Sequence, residues 1–370
     1  MGVVTVVGLG SMGKAALYYL LKHTNHEVWG YDKSSEVVNN ALSLGANAVR
    51  ADVMDDSVTK KIASNSDVVL TAVPQSIADS LVIKLHDYGV NVVDLIFLWK
   101  FSDEVAGRVK NGPLVIPACG WAPGLTNLLA VAASSELDIV EEVGIHVGGN
   151  PVNPRPPLYY DLLFSVESTI EEYVRPATIM FNGELKNVDP LSFIYPFKTW
   201  LIEGDFSEFY TDGLSTLIVT MPKWFRTIKT MYERTIRWSR HLEVMRVLKD
   251  LGLLNNTDVL VKSLGNVLKP GVEDFSLTIV EAKGMINGEP AKIAFEGIDY
   301  AREGFTSMAR LTGFTAAIVA DLVAKKAIVG SGLVPIEEAY VRNRDVLRQV
   351  LNGLKAENVK FMLTKTVTAP

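Results

Sequence analysis

Val3-Val4-Thr5-Val6-Val7-Gly8-Leu9-Gly10-Ser11-Met12-Gly13 is the stretch on which the fold turns. Its first five residues are β-branched without a break, as in a strand buried on both faces of a parallel sheet. Gly8, Gly10 and Gly13 follow at the G-x-G-x-x-G spacing. Gly8 permits a tight turn, Gly10 lets backbone approach a pyrophosphate, and Gly13 lets a helix pack close to the strand. Lys14–Lys22 reads as that helix, whose first N–H groups attract phosphate oxygens. Glu27–Asp32 reads as the next strand, ending in an acid where a ribose hydroxyl would lie. Asp32 repels a 2′-phosphate, so NAD is the expected cofactor; Lys33 and Ser34 leave NADP open. Gly8, Gly10, Ser11, Met12, Gly13, Asp32 and Lys33 are therefore expected to hold the dinucleotide.

The alternation continues outward. Ala48–Ala51 reads as a third strand, with Asp52 beside the adenine. Asp67–Val73 is a fourth and carries Val73 and Pro74 to the cofactor edge of the sheet. Val90–Asp94 and Leu114–Pro117 are a fifth and a sixth. Repeated strand–helix alternation predicts an α/β, Rossmann-type doubly wound parallel sheet.

Beyond Asn127 the pattern changes. Leu128–Ser135 reads as a helix, Glu141–Gly149 and Tyr159–Ser165 as strands, and Ser168–Val174 as a short helix. Asn182-Gly183 and Asn287-Gly288 each punctuate a hairpin. His241–Leu251 and Asp258–Leu268 read as helices. The expectation is an inserted α+β substrate domain with a mixed sheet, whose open face suits a homodimer. Ser307–Lys326 and Glu337–Leu354 then read as long helices returning to the first core. The expected division is 1–125 with 300–370 for the dinucleotide domain, and 126–299 for the substrate-binding and dimerisation domain.

Composition sets the outer limits. The 370 residues are 48% apolar and carry a net charge of −6, with no basic run. That excludes a disordered chain and lacks the electrostatic footprint of a nucleic-acid binder. The single cysteine, Cys119, excludes an intramolecular disulfide framework and any multi-cysteine metal site, and suits a reducing cytoplasm. No metal site is expected, because no clustered Cys/His pattern occurs. The N-terminus lacks the basic region of a signal peptide, and no uninterrupted apolar run of about 20 residues suggests a membrane span.

Three further segments carry a resemblance. They are Cys119-Gly120-Trp121-Ala122-Pro123-Gly124-Leu125-Thr126-Asn127, then Gly148-Gly149-Asn150-Pro151 leading to Pro156-Pro157-Leu158-Tyr159-Tyr160, and Thr211-Asp212-Gly213-Leu214-Ser215-Thr216. With the glycine loop, their order resembles the saccharopine dehydrogenase family, and within it the lysine 6-dehydrogenases. The resemblance implies NAD-dependent oxidative deamination of the lysine side-chain amine, giving 2-aminoadipate 6-semialdehyde, which cyclises to a piperideine carboxylate, with release of ammonia. Saccharopine reductases usually have an aspartate where this chain has Ala122, which sets it apart from them. A saccharopine reductase or carboxynorspermidine dehydrogenase remains the alternative, and a cofactor-binding regulatory protein a second.

The chemistry indicates which residues to seek. An amine that loses hydride from its carbon must first be neutral, and the imine that forms needs water and a base. Asp212, in a polar turn, is the first candidate; its competing role is a turn carboxylate bonded to nearby backbone. His241 is the second, because it titrates near neutrality. Arg237 is chosen for the α-carboxylate, with Arg175 as runner-up. Thr211, Tyr160 and Asn127 complete the expected substrate contacts, and Cys119 and Gly120 are placed near the nicotinamide. His23, His26 and His86 are expected at the surface and His146 in a strand core.

Overall fold

A computed structural model describes residues 2–95, 103–161, 166–268 and 273–368 of the chain. It resolves into two units, Met1–Leu128 with Ala309–Asn358, and Leu129–Met308 with Val359–Pro370.

The first unit opens with β1 (Val3–Val7), α1 (Ser11–His23), β2 (Glu27–Asp32), α2 (Ser35–Ser43), β3 (Asn47–Arg50) and α3 (Asp56–Ser64). It continues with β4 (Val68–Thr71), α4 (Gln75–Asp87), β5 (Asn91–Asp94), α5 (Asp103–Arg108) and β6 (Leu114–Ile116), and the boundary falls within α6 (Leu125–Ser134). The apolar runs become strands because helices cover the sheet: β4 and β6 are buried along their whole length. Gly8 lies at φ +86°, where a side chain would be strained, and a Cβ there would meet the Ala72 carbonyl at 2.3 Å.

The second unit contains β7 (Ile139–Pro151), α7 (Val166–Val174), β8 (Ala177–Phe181), β9 (Glu184–Val188), β10 (Ile194–Phe197), β11 (Phe206–Thr211), α8 (Leu217–Trp224), β12 (Thr230–Trp238), α9 (Ser239–Asp250) and α10 (Thr257–Val267). The hairpin β13 (Asp274–Ile286) and β14 (Glu289–Tyr300) turns at Asn287-Gly288, both at positive φ. Helix α11 (Ser307–Ala324) then takes the chain back to the first unit, which holds Ala309–Asn358. Its length and mean hydropathy of 1.3 would suit a membrane span, yet 78% of it is buried within the fold. Gly313 brings it onto α1, where a Cβ would lie 2.5 Å from the Met12 carbonyl. Next come β15 (Gly332–Leu333), α12 (Ile336–Arg342), α13 (Asp345–Ala356) and β16 (Met362–Val367).

The first sheet runs β15-β6-β5-β4-β1-β2-β3, parallel throughout, and its order reverses between β1 and β4. The crevice at that reversal is where doubly wound sheets take their ligands, and the Gly8 turn opens onto it. The second sheet runs β10-β11-β12-β7-β13-β14-β16, with β8 and β9 attached beside β12. It is mixed, because β12 and β7 are parallel and the other neighbours antiparallel. Thus an α/β architecture with a Rossmann-type sheet and a mixed second sheet is present.

Three local expectations are corrected. Glu337–Leu354 is two helices, because Asn343 turns extended and its side-chain oxygen accepts the Asp345 N–H at 3.1 Å, starting a new helix. The segment 300–370 does not return whole to the first unit: β16 adds to β14 and completes the second sheet. Tyr159 lies in a turn at φ +53° with its N–H bonded to Arg155, so no strand begins there. The rest of that expected strand, 162–165, falls outside the described residues.

Candidate active site

One candidate site is the crevice of the parallel sheet in the first unit. Gly10 precedes α1, no side chain caps that helix end, and a Cβ on Gly10 would meet nothing within 4 Å. Backbone N–H groups of the Ser11-Met12-Gly13 turn therefore face space that a pyrophosphate can use. Asp32 Oδ2 accepts the Leu9 N–H at 2.8 Å and Oδ1 accepts the Ser34 N–H at 2.8 Å. The acid thus ties the glycine loop to the end of β2 and keeps lone pairs for a ribose. Arg50 stands opposite Asp32 in the sheet and donates to the Lys33 carbonyl at 3.1 Å, which brings two cations to this rim. Val73 is buried, and Pro74 begins α4 at the same edge. Asp52 is exposed, and its carboxylate accepts the Met54 N–H at 2.9 Å. These residues fit a dinucleotide, which supplies a hydride acceptor or donor when bound.

Farther along that edge, Thr71 donates to the fully buried Asp94 at 2.5 Å, and Cys119 N–H bonds the Asp94 carbonyl at 2.7 Å. Burial, reinforced by the nearby Asp94 and Glu337, pushes the Cys119 thiol up, so it stays neutral. Gly120 and Gly124 close a tight turn here, where a Cβ on Gly124 would lie 2.4 Å from the Gly120 carbonyl. Asn127 is buried and accepts, at 3.4 Å each, from Gly124 N–H and the Thr126 hydroxyl. It serves its own loop in the first unit.

Another candidate site, in the second unit, lies on one face of the mixed sheet. Alternation along β12 sends Glu233, Thr235 and Arg237 to that face. Thr211 lies directly opposite Glu233 in the ladder. Helix α7 contributes Glu172 and Tyr173 and leads to Arg175; α9 contributes His241. Arg237 is buried and donates to Glu172 at 2.6 Å, to the Tyr173 oxygen at 3.3 Å and to the Ile236 carbonyl at 3.1 Å. His241 Nδ1 faces the Leu158 carbonyl at 2.6 Å, so that nitrogen carries the proton. The Tyr173 hydroxyl then donates to His241 Nε2 at 2.7 Å. Tyr160 stacks on the imidazole with ring centroids 4.8 Å apart. Its buried hydroxyl has no hydrogen-bond partner among the described residues.

Asp212 Oδ1 accepts the Thr178 N–H at 3.0 Å, and Oδ2 lies 3.8 Å from Arg175 Nε. Glu233 is 4% exposed; its Oε1 lies 3.4 Å from the Thr211 hydroxyl. Its Oε2 has no hydrogen-bond partner among the described residues. Burial, and then the Glu172 charge, push its carboxyl up to about 8. A Cβ at Gly213 would fall 1.6 Å from Glu233 Oε1, so the glycine leaves room for this carboxyl where it lies.

The structure therefore brings Asp212, Thr211, Arg175, Arg237, Tyr160 and His241 into one cluster. It also alters two of the expected roles. Burial lowers His241 to about 3, and both ring nitrogens are engaged, so the ring is a neutral support rather than a base. Arg237 is committed to its own neighbours, whereas the Arg175 side chain is 27% exposed, so Arg175 is better placed for a carboxylate. Sequence reasoning missed Glu172, Tyr173 and Glu233 as members of the site. For Glu233 the available signal was an acid on the same strand face as Thr235 and Arg237. Nor are the other histidines as expected: His26 and His86 are largely buried, bonded to Asp321 and to the Asn111 carbonyl, and His23 pairs with Glu357. His146 lies within β7, paired with Glu208 at 2.6 Å.

A parallel sheet with an open glycine loop, joined in one chain to a mixed sheet bearing a buried ionic cluster, defines a two-domain protein of the dinucleotide-binding class. Comparison with known proteins makes this specific. The saccharopine dehydrogenase NADP binding domain profile matches residues 4–114, and the saccharopine dehydrogenase C-terminal domain profile matches residues 120–359. The chain belongs to the saccharopine dehydrogenase family. It is 24% identical over 227 residues to the Saccharomyces cerevisiae saccharopine dehydrogenase [NADP(+), L-glutamate-forming], covering 58% of this chain and 50% of that protein. It is 24% identical over 204 residues to the mitochondrial alpha-aminoadipic semialdehyde synthase of Bos taurus, covering 52% of this chain and 22% of that protein. The match thus spans half or less of these curated relatives. Apo saccharopine dehydrogenase (L-Glu forming) from Saccharomyces cerevisiae shares the fold over 100% of both chains, with a TM-score of 0.82 at 16% identity.

Proposed function

We propose that the chain is a nicotinamide-dependent dehydrogenase that deaminates the side chain of L-lysine, giving 2-aminoadipate 6-semialdehyde and ammonia. The observation that carries this is the excess of acid in the cluster: Glu172, Asp212 and Glu233, with the more exposed Glu171 beside Arg175, outnumber the two cations Arg175 and Arg237. Fully ionised, it is net anionic. Lysine, with two ammonium groups and one carboxylate, is net cationic near neutral pH and offsets that excess. Saccharopine carries three carboxylates against two ammonium groups and worsens it.

Each residue then has a task. Arg175 takes the α-carboxylate through its planar fork. Asp212 and Glu233 take the amine and accept the proton it must lose before hydride can leave. Arg237, held by Glu172 and Tyr173, together with the neutral His241, fixes the floor on which Tyr160 stacks. NAD is the proposed cofactor, on the strength of Asp32.

The second reading is a saccharopine-class reaction joining or cleaving two amino acids, favoured by the names of the two curated relatives. Purified protein is given NAD or NADP with L-lysine, or with saccharopine, and the absorbance of the reduced cofactor is followed. Reduction with lysine alone is expected. Reduction with saccharopine and none with lysine would establish the second reading instead.

A further inference from the structure

We propose that Glu233 is protonated in the resting protein and releases that proton to solvent when a substrate ammonium enters the cluster, its carboxylate then pairing with the ammonium. The inference rests on the amine-binding reading above and identifies the group that registers the amine. One O–H bond breaks, the proton passes to buffer, and an ion pair forms; no electrons move.

The geometry supports it at three points. First, each cation already lies beside another acid: Arg237 bonds Glu172, and Arg175 lies 3.7 Å from Glu171 and 3.8 Å from Asp212. Glu233 is the remaining acid, and no cation lies within ion-pair distance of it among the described residues. Secondly, Oε2 of this 4% exposed side chain lacks a hydrogen-bond partner there. Buried polar atoms are nearly always satisfied, so this one marks a place for a polar ligand group. Thirdly, Gly213 leaves space for the carboxyl against the turn.

The charged groups facing Glu233 are Glu172 and Arg175 at α7 and Asp212 after β11; Thr211 faces it on β11 itself. Burial and the acids raise its proton affinity, and Arg175 only partly offsets them. An incoming ammonium reverses that balance, because an opposite charge at contact favours the ionised carboxylate.

Titration calorimetry of the cofactor-loaded protein with L-lysine, in buffers of different ionisation enthalpy, tests this. At pH 7, wild type should release about one proton per lysine bound, and the release should shrink as pH rises past Glu233's own titration. Glu233→Gln should release none and bind lysine roughly tenfold or more weakly, with its NAD affinity unchanged. Binding without release in wild type, or equal release in Glu233→Gln, overturns the proposal. Should that variant not fold, the pH dependence of the wild-type release decides alone. Wild type that binds no lysine overturns the functional reading itself, whereas binding without release leaves that reading standing.

Discussion

The buried carboxyl of Glu233 makes stability depend on pH in a direction opposite to that of a salt-bridged acid. Its carboxyl titrates at about 8 in the folded chain, against an ordinary 4.5. A raised value means that the folded state binds a proton more tightly than the unfolded chain. The resulting stability is fully present below 4.5 and is lost as pH climbs through 8. Each pH unit within that window removes about 1.4 kcal/mol. Glu233→Gln keeps the shape and abolishes the titration. Relative to wild type, the variant should therefore gain about 4 kcal/mol of stability between pH 5 and pH 8. Exposure is too low for solvent screening to reduce this much. Urea unfolding at pH 5, 6, 7 and 8, followed by tryptophan fluorescence, measures it; Trp238, at the end of β12, reports on the unit concerned. Comparing two proteins at each pH cancels every other titrating group. A stability difference that stays flat across the series, or falls with pH, would refute the reasoning.

Three other perturbations follow from the structure. Gly13→Ala places a Cβ 1.8 Å from the Gly8 carbonyl, so the loop must shift; NADH affinity by fluorescence titration should fall at least roughly tenfold, while the second unit's circular dichroism is unchanged. Asp32→Asn removes the charge facing a 2′-phosphate beside Lys33 and Arg50; the affinity ratio should move toward NADPH by about tenfold, or ~1.4 kcal/mol, in the same titration. Asp274 is fully buried and accepts the Ser307 and Met308 N–H groups that open α11, so Asp274→Ala should cost about 2 kcal/mol in chemical denaturation; an unchanged midpoint would remove it as the cap.

What could be read ahead of the structure follows the range of each interaction. The glycine loop, β1 and Asp32 lie within one short stretch, and local sterics dictate their turn. The hairpins at Asn182-Gly183 and Asn287-Gly288 are legible for the same reason, since the turn type requires those residues. Asp212 and Thr211 were found because polar residues beside a glycine turn stand out, and Arg175 because a guanidinium suits a carboxylate. Glu172 and Arg237 meet across 65 positions, and no local pattern announces such a pair. Asn343 was read through because helix-forming residues continue on both sides. The assignment of His241 as a base failed on burial, which depends on Leu158 and Tyr173 from distant segments.

The order in which the strands are made has a consequence for synthesis on the ribosome. The first sheet is not complete until Gly332–Leu333 has been translated, and the second not until Met362–Val367 has. Until then β14 presents an unpaired edge, the kind of surface on which nascent chains associate. A ribosome stalled or released between these two points would yield a chain with the parallel sheet filled and the mixed sheet still open. Such a product should be retained by chaperones or found in inclusion bodies, although every residue of both candidate sites is already present in it.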